Sequence, residues 1–192
     1  MKGINIFLAD GFEDIEALAV NDVLTRGGLK TNLIAIADDP FVVSSHGVTI
    51  GADLFLNDME IRHEGTDQKD IMILPGGMPG SRNLASCKPL LKALEEHYAA
   101  GGTVAAICAA PGLVLGRMDI WEGRTFTCFN GFESVPVSKG GVFKDCPAVT
   151  DGRVITGRSA GNAIAFGLEI LGRAKDAATV SAVHDAMYPV LG

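Results

Sequence analysis

The sequence predicts an α/β protein, with a mostly parallel sheet, helices on both of its faces and a nucleophile elbow at the carboxyl end of one strand. Short, almost wholly apolar runs recur at residues 4–9, 71–74 and 104–107, as strands covered on both faces require. Stretches with apolar residues at helical spacing lie between such runs, and that alternation implies right-handed crossovers. Composition agrees: 47% of the 192 residues are hydrophobic, 20% are charged and 24 are glycine, which fits one compact domain over residues 1–192 with many tight turns.

Residues 4–9 form the first strand, and Asp10-Gly11-Phe12 turns it. Glu13, Asp14 and Glu16 then load the first turn of a helix whose Ile15, Ala19, Val20, Val23 and Leu24 recur at helical spacing, ending at Arg26 and Gly27-Gly28. Acids at a helix start complement its dipole, which accounts for Glu13 and Asp14. Residues 33–36 are the second strand, and residues 41–43 and 48–50 form a β-hairpin beside the main sheet, turned by Ser44-Ser45-His46-Gly47. From residue 57 to 69 the chain is polar and uneven, a short helix and a loop. A buried strand at 70–74 runs into Pro75-Gly76-Gly77-Met78-Pro79-Gly80, and that much glycine implies positive φ or close approach of the backbone to another group.

Pro89 opens a helix with Leu90, Leu91, Leu94 and Tyr98 on one face, closed by Gly101-Gly102. The run Val104 to Ile107 ends in Cys108, followed by small residues and Pro111, which reads as a buried strand turning sharply into a helix that reaches Arg117. Residues 125–128 are a strand ending in Cys128, and residues 129–133 lead into a short turn or helix. Residues 149–156 are a hairpin around Asp151-Gly152. Helices over 162–171 and from about 176 to 187 complete the chain.

In a parallel sheet, ligands bind at the carboxyl ends of the strands. The loop before Glu16, the Gly76-Gly77 loop, the Cys108 elbow and Cys128 all follow predicted strands, so they are expected on one edge. A cysteine at an elbow lies near the free amides and positive end of the next helix, where a thiolate is stabilised and becomes a nucleophile. The Ala109 amide is then one oxyanion donor and the Gly77 amide a second. No strand is followed by G-x-G-x-x-G and no loop has the G-x-x-x-x-G-K-[ST] pattern, so nucleotide binding has no support. A formal charge of -7 with scattered basic residues argues against nucleic acid and membrane surfaces. The uncharged run of residues 103–116 is too short to span a bilayer and contains Pro111 and Gly112, and no signal sequence precedes the first strand, so the cytoplasm is the expected compartment. Four cysteines without a C-x-x-C pair signal neither a metal site nor a disulfide framework.

Four stretches carry a family resemblance: Ala9-Asp10-Gly11-Phe12-Glu13-Asp14-Ile15-Glu16, Leu74-Pro75-Gly76-Gly77, Ala105-Ala106-Ile107-Cys108-Ala109-Ala110-Pro111 and Thr127-Cys128-Phe129-Asn130-Gly131-Phe132-Glu133. In this order the chain resembles the ThiJ/PfpI superfamily, nearest the branch of the parkinsonism-associated oxidative-stress protein. The resemblance implies a flavodoxin-like three-layer sandwich, a homodimer, and a reactive Cys108 whose sulfur is hydrogen-bonded by a protonated Glu16. It implies catalysis without cofactor or metal on a small aldehyde such as methylglyoxal, of the glyoxalase or deglycase kind, with redox sensing by an oxidisable Cys108 or chaperone activity as the alternatives. Gly77 and Ala109 would form the oxyanion hole, and Gly76, Cys128 and His46 would border the substrate. The chain departs from its relatives in three places. Ala109 stands where the peptidase-like branch has histidine, which counts against a Cys-His protease. Cys128 stands where glyoxalase-active members have histidine, and a neutral thiol is a poor substitute for imidazole near pH 7. Asn130 and Ser159-Ala160 replace a proline and a Gly-Pro pair. Of the histidines, His46 falls in the hairpin where relatives place a basic residue reaching the partner subunit, His63 lies in a polar loop, and His97 and His184 read as solvated or packed.

Overall fold

The computed structural model describes residues 1–58 and 64–187. In chain order its elements are β1 (Ile4–Leu8), α1 (Asp14–Arg26), β2 (Thr31–Ala35), β3 (Phe41–Val43), β4 (Thr49–Gly51), β5 (Leu54–Phe55) and β6 (Ile71–Leu74). There follow α2 (Gly80–Ser86), α3 (Lys88–Ala99), β7 (Thr103–Ile107), α4 (Ala110–Leu113), β8 (Thr125–Phe126), α5 (Ser134–Ser138), β9 (Val142–Phe143), β10 (Ala148–Asp151), β11 (Val154–Gly157), α6 (Ala163–Ala174) and α7 (Ala177–Met187). The main sheet runs β10-β11-β7-β6-β1-β2-β5, and every neighbouring pair is parallel except β10 with β11.

The strand sequences explain why both faces are covered. Along β1, Ile4, Ile6 and Leu8 pack into one apolar cluster with α1 and α6, while Phe7 points into the other with residues of α2, α3 and α4. The same alternation divides Ile71 and Ile73 from Met72 and Leu74 in β6, and Ala105 and Ile107 from Val104 and Ala106 in β7. A period of two on a largely apolar strand buries successive side chains on opposite faces, so β1, β6 and β7 have no wet side. The sandwich has three layers, with α1 and α6 packed together on one face. After β1 the chain builds outward through β2 to β5 and then returns to place β6 on the other side of β1. That reversal opens a crevice between the carboxyl ends of β1 and β6, the ordinary ligand position of such a sheet.

Most elements lie where periodicity put them, with four differences. Gly80–Ser86, inside what reads as a glycine-rich loop, is helical, and Leu54–Phe55 is a short edge strand beside β2. The helix after the elbow is a single turn, α4, followed by a separate 3-10 turn at Leu115–Arg117. The strand expected through Cys128 stops at Phe126 and pairs with β9 in a separate two-stranded sheet. Its next residues find other partners: the Thr127 amide donates to Thr156 Oγ1 and the Phe129 amide to the Cys108 carbonyl. The polar stretch at 57–69 begins with a 3-10 turn, Leu56–Asp58, and residues 59–63, which include His63, lie outside the described residues. Among the described residues no helix is long and apolar enough to cross a membrane.

Candidate active site

Cys108 occupies the turn between β7 and α4 with φ of 65°, the only positive φ among described residues other than glycine. A left-handed backbone at a residue with a Cβ costs about 1–2 kcal/mol. Two backbone hydrogen bonds hold it there: the Cys108 amide donates to the Gly157 carbonyl at 3.0 Å, and its carbonyl accepts the Phe129 amide at 2.8 Å. The half-buried sulfur accepts hydrogen bonds from the Ala109 and Gly77 amides. Both predicted oxyanion donors therefore face the predicted nucleophile.

Glu16 lies in the first turn of α1 and is 1% exposed. Its Oε2 accepts the Gly76 amide at 2.7 Å, and the carboxyl shares a hydrogen bond with the Cys108 sulfur. Its other oxygen, Oε1, is buried without a nitrogen or oxygen donor. Gly76 fits between the two groups because it lacks a side chain. A Cβ on it would lie 2.5 Å from Glu16 Oε2 and 2.6 Å from Cys108 Cβ. Gly77, with φ of 88°, turns its amide toward the sulfur. Glycine at these two positions is thus required by contact and by conformation.

Burial dominates the electrostatics of the pair. It raises the Glu16 carboxyl to about 7 against the opposing hydrogen bonds from Cys108 and Gly76, with Glu13 adding repulsion. Burial, the Glu16 charge and the Glu16 hydrogen bond push the Cys108 thiol up to about 12, against the pull of the Ala109 and Gly77 amides. This corrects the expectation that the elbow itself lowers the thiol's pKa. A single-turn helix such as α4 has almost no macrodipole to contribute, and desolvation outweighs two amides. The first proton to leave near neutral pH belongs to the pair rather than to either residue.

Other predicted neighbours are arranged differently. Cys128 comes beside the elbow through its backbone, but its side chain is 0% exposed in the apolar cluster with Trp121 and Phe126, so it borders no opening. Burial, with repulsion from Glu133 partly offset by Arg158, pushes its thiol up to about 12 and leaves it unfit to move protons. His46 does not point at the sulfur; it binds Asp14 of its own chain at 2.6 Å. His97 is buried, its Nε2 within hydrogen-bond distance of the Asp70 and Thr103 carbonyls. His184 pairs with Asp185 at the surface of α7. A cleft of about 660 Å³ beside α6 and α7, lined by Glu169, Arg173 and His184 among others, includes no residue of the cysteine site. The sequence reading missed the part of Phe129 and Gly157 in holding the elbow, and only long-range pairing reveals it.

Comparison with known proteins places this geometry. The DJ-1/PfpI family matches residues 2–173. Protein DJ-1 homolog B of Arabidopsis thaliana is 33% identical over 180 residues, 91% of this chain and 39% of that protein, so the chain spans about two fifths of that relative's length. The glutathione-independent glyoxalase DJR-1.2 of Caenorhabditis elegans is 33% identical over 159 residues, 83% of this chain and 81% of the relative. The crystal structure of a cysteine-to-alanine mutant of a DJ-1 superfamily protein from Salmonella typhimurium has a TM-score of 0.86 and 32% identity, with 100% of both chains covered. With its elbow cysteine, buried acid and glycine-lined crevice on a matching fold, the chain belongs to the DJ-1/PfpI family.

Proposed function

We infer that this protein converts small reactive aldehydes of the methylglyoxal type into hydroxy acids through Cys108, in the manner of a glyoxalase. The observation that carries the reading is the convergence on one sulfur of two amides, from Gly77 and Ala109, and of the Glu16 carboxyl. When the pair has lost one proton, Glu16 is the carboxylate; it takes the thiol proton on its donor-free Oε1 as the sulfur attacks, while the Gly77 and Ala109 amides favour the charge that develops on sulfur. The thiolate adds to the aldehyde carbon, forming a C–S bond, and the new alkoxide accepts the Gly77 and Ala109 amides. Glu16 gives its proton to that alkoxide and then, as a carboxylate, takes the proton from the same carbon and returns it to the neighbouring carbon while the hydroxyl proton passes between the two oxygens, leaving a thioester; water breaks the C–S bond to release the acid and restore the thiol. Methylglyoxal plus water equals lactic acid atom for atom, so the cycle needs no external oxidant or reductant. The relative named as a glyoxalase supports this reading.

Incubation with methylglyoxal and assay of lactate tests it. Wild type should turn over while Cys108→Ser falls to background, and equal rates would remove the proposal. The burial of Cys128 favours a second reading, in which peroxide oxidises Cys108 to a sulfinate held by the same amides, because no imidazole stands at the Cys128 position. Intact mass after mild peroxide distinguishes it: addition of two oxygens confined to Cys108 supports sensing, and oxidation at other cysteines alone opposes it. We further propose that the chain works as a homodimer, paired through the exposed Ile15 and Leu18 of α1 and Phe41, Val43 and Val48 of the hairpin. Sedimentation at micromolar concentration checks this, and a monomer mass refutes it.

A further inference from the structure

The first turn of α1 carries a second group of ionisable side chains that the cysteine chemistry does not use. The tip of the β3–β4 hairpin lies against it, held by hydrogen bonds from the Ser45 amide to the Phe12 carbonyl at 2.8 Å and from the Gly11 amide to the Val43 carbonyl at 2.7 Å. His46 Nδ1 thereby comes to 2.6 Å from Asp14 Oδ2 and 3.7 Å from Glu13 Oε1. Ser45 Oγ lies 3.3 Å from Glu13 Oε2 and 3.3 Å from the same Nδ1. One donor atom from each of Glu13, Asp14 and His46 falls within 4.8 Å of the others. The second oxygen of Asp14, Oδ1, is buried, and the side chains that donate to this carboxylate, Ser44 and His46, both come from the hairpin tip.

We propose that Glu13, Asp14 and His46 form a binding site for a divalent cation of the zinc class, with Ser45 Oγ or water completing the shell. One imidazole nitrogen with two carboxylates is a donor set that suits Zn²⁺, and the two acids neutralise its charge. Metal–ligand bonds of ~2.1 Å put the donors of a tetrahedral site ~3.4 Å apart. The separations of 3.3 Å and 3.7 Å already match that spacing. The short edge, 2.6 Å between Nδ1 and Oδ2, is a hydrogen bond, and the cation takes the place of its proton. The two carboxylate side chains are only 16% and 17% exposed, so their attraction for a cation is less screened than at an open surface. A bound cation would pin the hairpin to the turn that carries Glu16.

Cobalt is the optical probe of choice, because thiolate ligation adds an intense near-ultraviolet charge-transfer band that nitrogen and oxygen ligands do not produce. Titration of the wild-type protein with Co²⁺, followed by displacement with Zn²⁺, should show one site with d–d bands and no thiolate band. The site should persist in Cys108→Ser and weaken at least tenfold in His46→Gln and in Glu13→Gln, while His184→Gln leaves it unchanged. Because His46 is at an exposed hairpin tip, an unaltered melting curve will show that its variant is folded. Binding that His46→Gln leaves intact, binding that Cys108→Ser abolishes, or no saturable binding overturns the proposal.

Discussion

Asp14 and Glu16 stand two residues apart on one helical turn, yet the fold drives their carboxyls in opposite directions. Asp14 is drawn below the usual aspartate range although its partial burial acts upward, because the Ser44 hydroxyl, the His46 imidazole and the backbone donate to it. Glu16 is raised to about 7, because burial is nearly complete and its donors are one amide and one thiol. Helical geometry turns the two side chains about 200° apart, one toward the hairpin tip and the other into the sheet edge. The difference teaches that position on a helix dipole sets neither pKa; the number of donors against the depth of burial does.

The comparison can be broken from the buried side first. Cys108→Ser should lower lactate formation by roughly three orders of magnitude, since it removes the group that forms the covalent intermediate. Gly76→Ala comes next: its Cβ collides with both Glu16 and Cys108, so denaturant unfolding should show a loss of about 2–4 kcal/mol together with the activity.

Glu16→Gln separates stability from catalysis. Because the folded carboxyl ionises near 7 rather than near 4.5, stability is fully present below 4.5 and is lost as pH rises through 7. The glutamine variant should lack that decline and unfold later than wild type at pH 8, by up to about 3 kcal/mol, while losing turnover. In the wild type, kcat/KM should rise as pH passes through about 7, where the pair loses its first proton.

The smallest effect is expected on the exposed side. Asp14 stabilises the fold above the aspartate range and loses that contribution as pH falls, so Asp14→Asn should flatten the acid end of the stability profile. Any difference at neutral pH should shrink in high salt, as partial exposure requires. Thermal melts from pH 3 to pH 8 at two ionic strengths check both statements.

Much of this was legible in residues alone. The apolar strands, the amphipathic α1 and α3, the hairpin at Phe41–Val43 and Thr49–Gly51, and the elbow at Cys108 follow from local periodicity and turn chemistry. Gly76, Gly77, Ala109 and the loop before Glu16 were also legible as neighbours of Cys108, because parallel strands deliver their following loops to one edge, while the pairing of Glu16 with the sulfur came from the family resemblance. Cys128 was misjudged: a short β-rich run gives no sign that its last residues will leave the strand to bond Thr156 and Cys108. The meeting of His46 with Glu13 and Asp14 had no signal either, because 32 residues separate His46 from Asp14 and only the hairpin's docking closes the gap.

By itself, then, the order of residues determined which side chains face which layer and which loops share an edge, since these depend on the period of a strand or helix. Tertiary structure alone decided what each ionisable group feels. Desolvation and the count of donors arise from chain segments far apart in sequence, and in a low-dielectric edge those terms outweigh anything a local motif contributes.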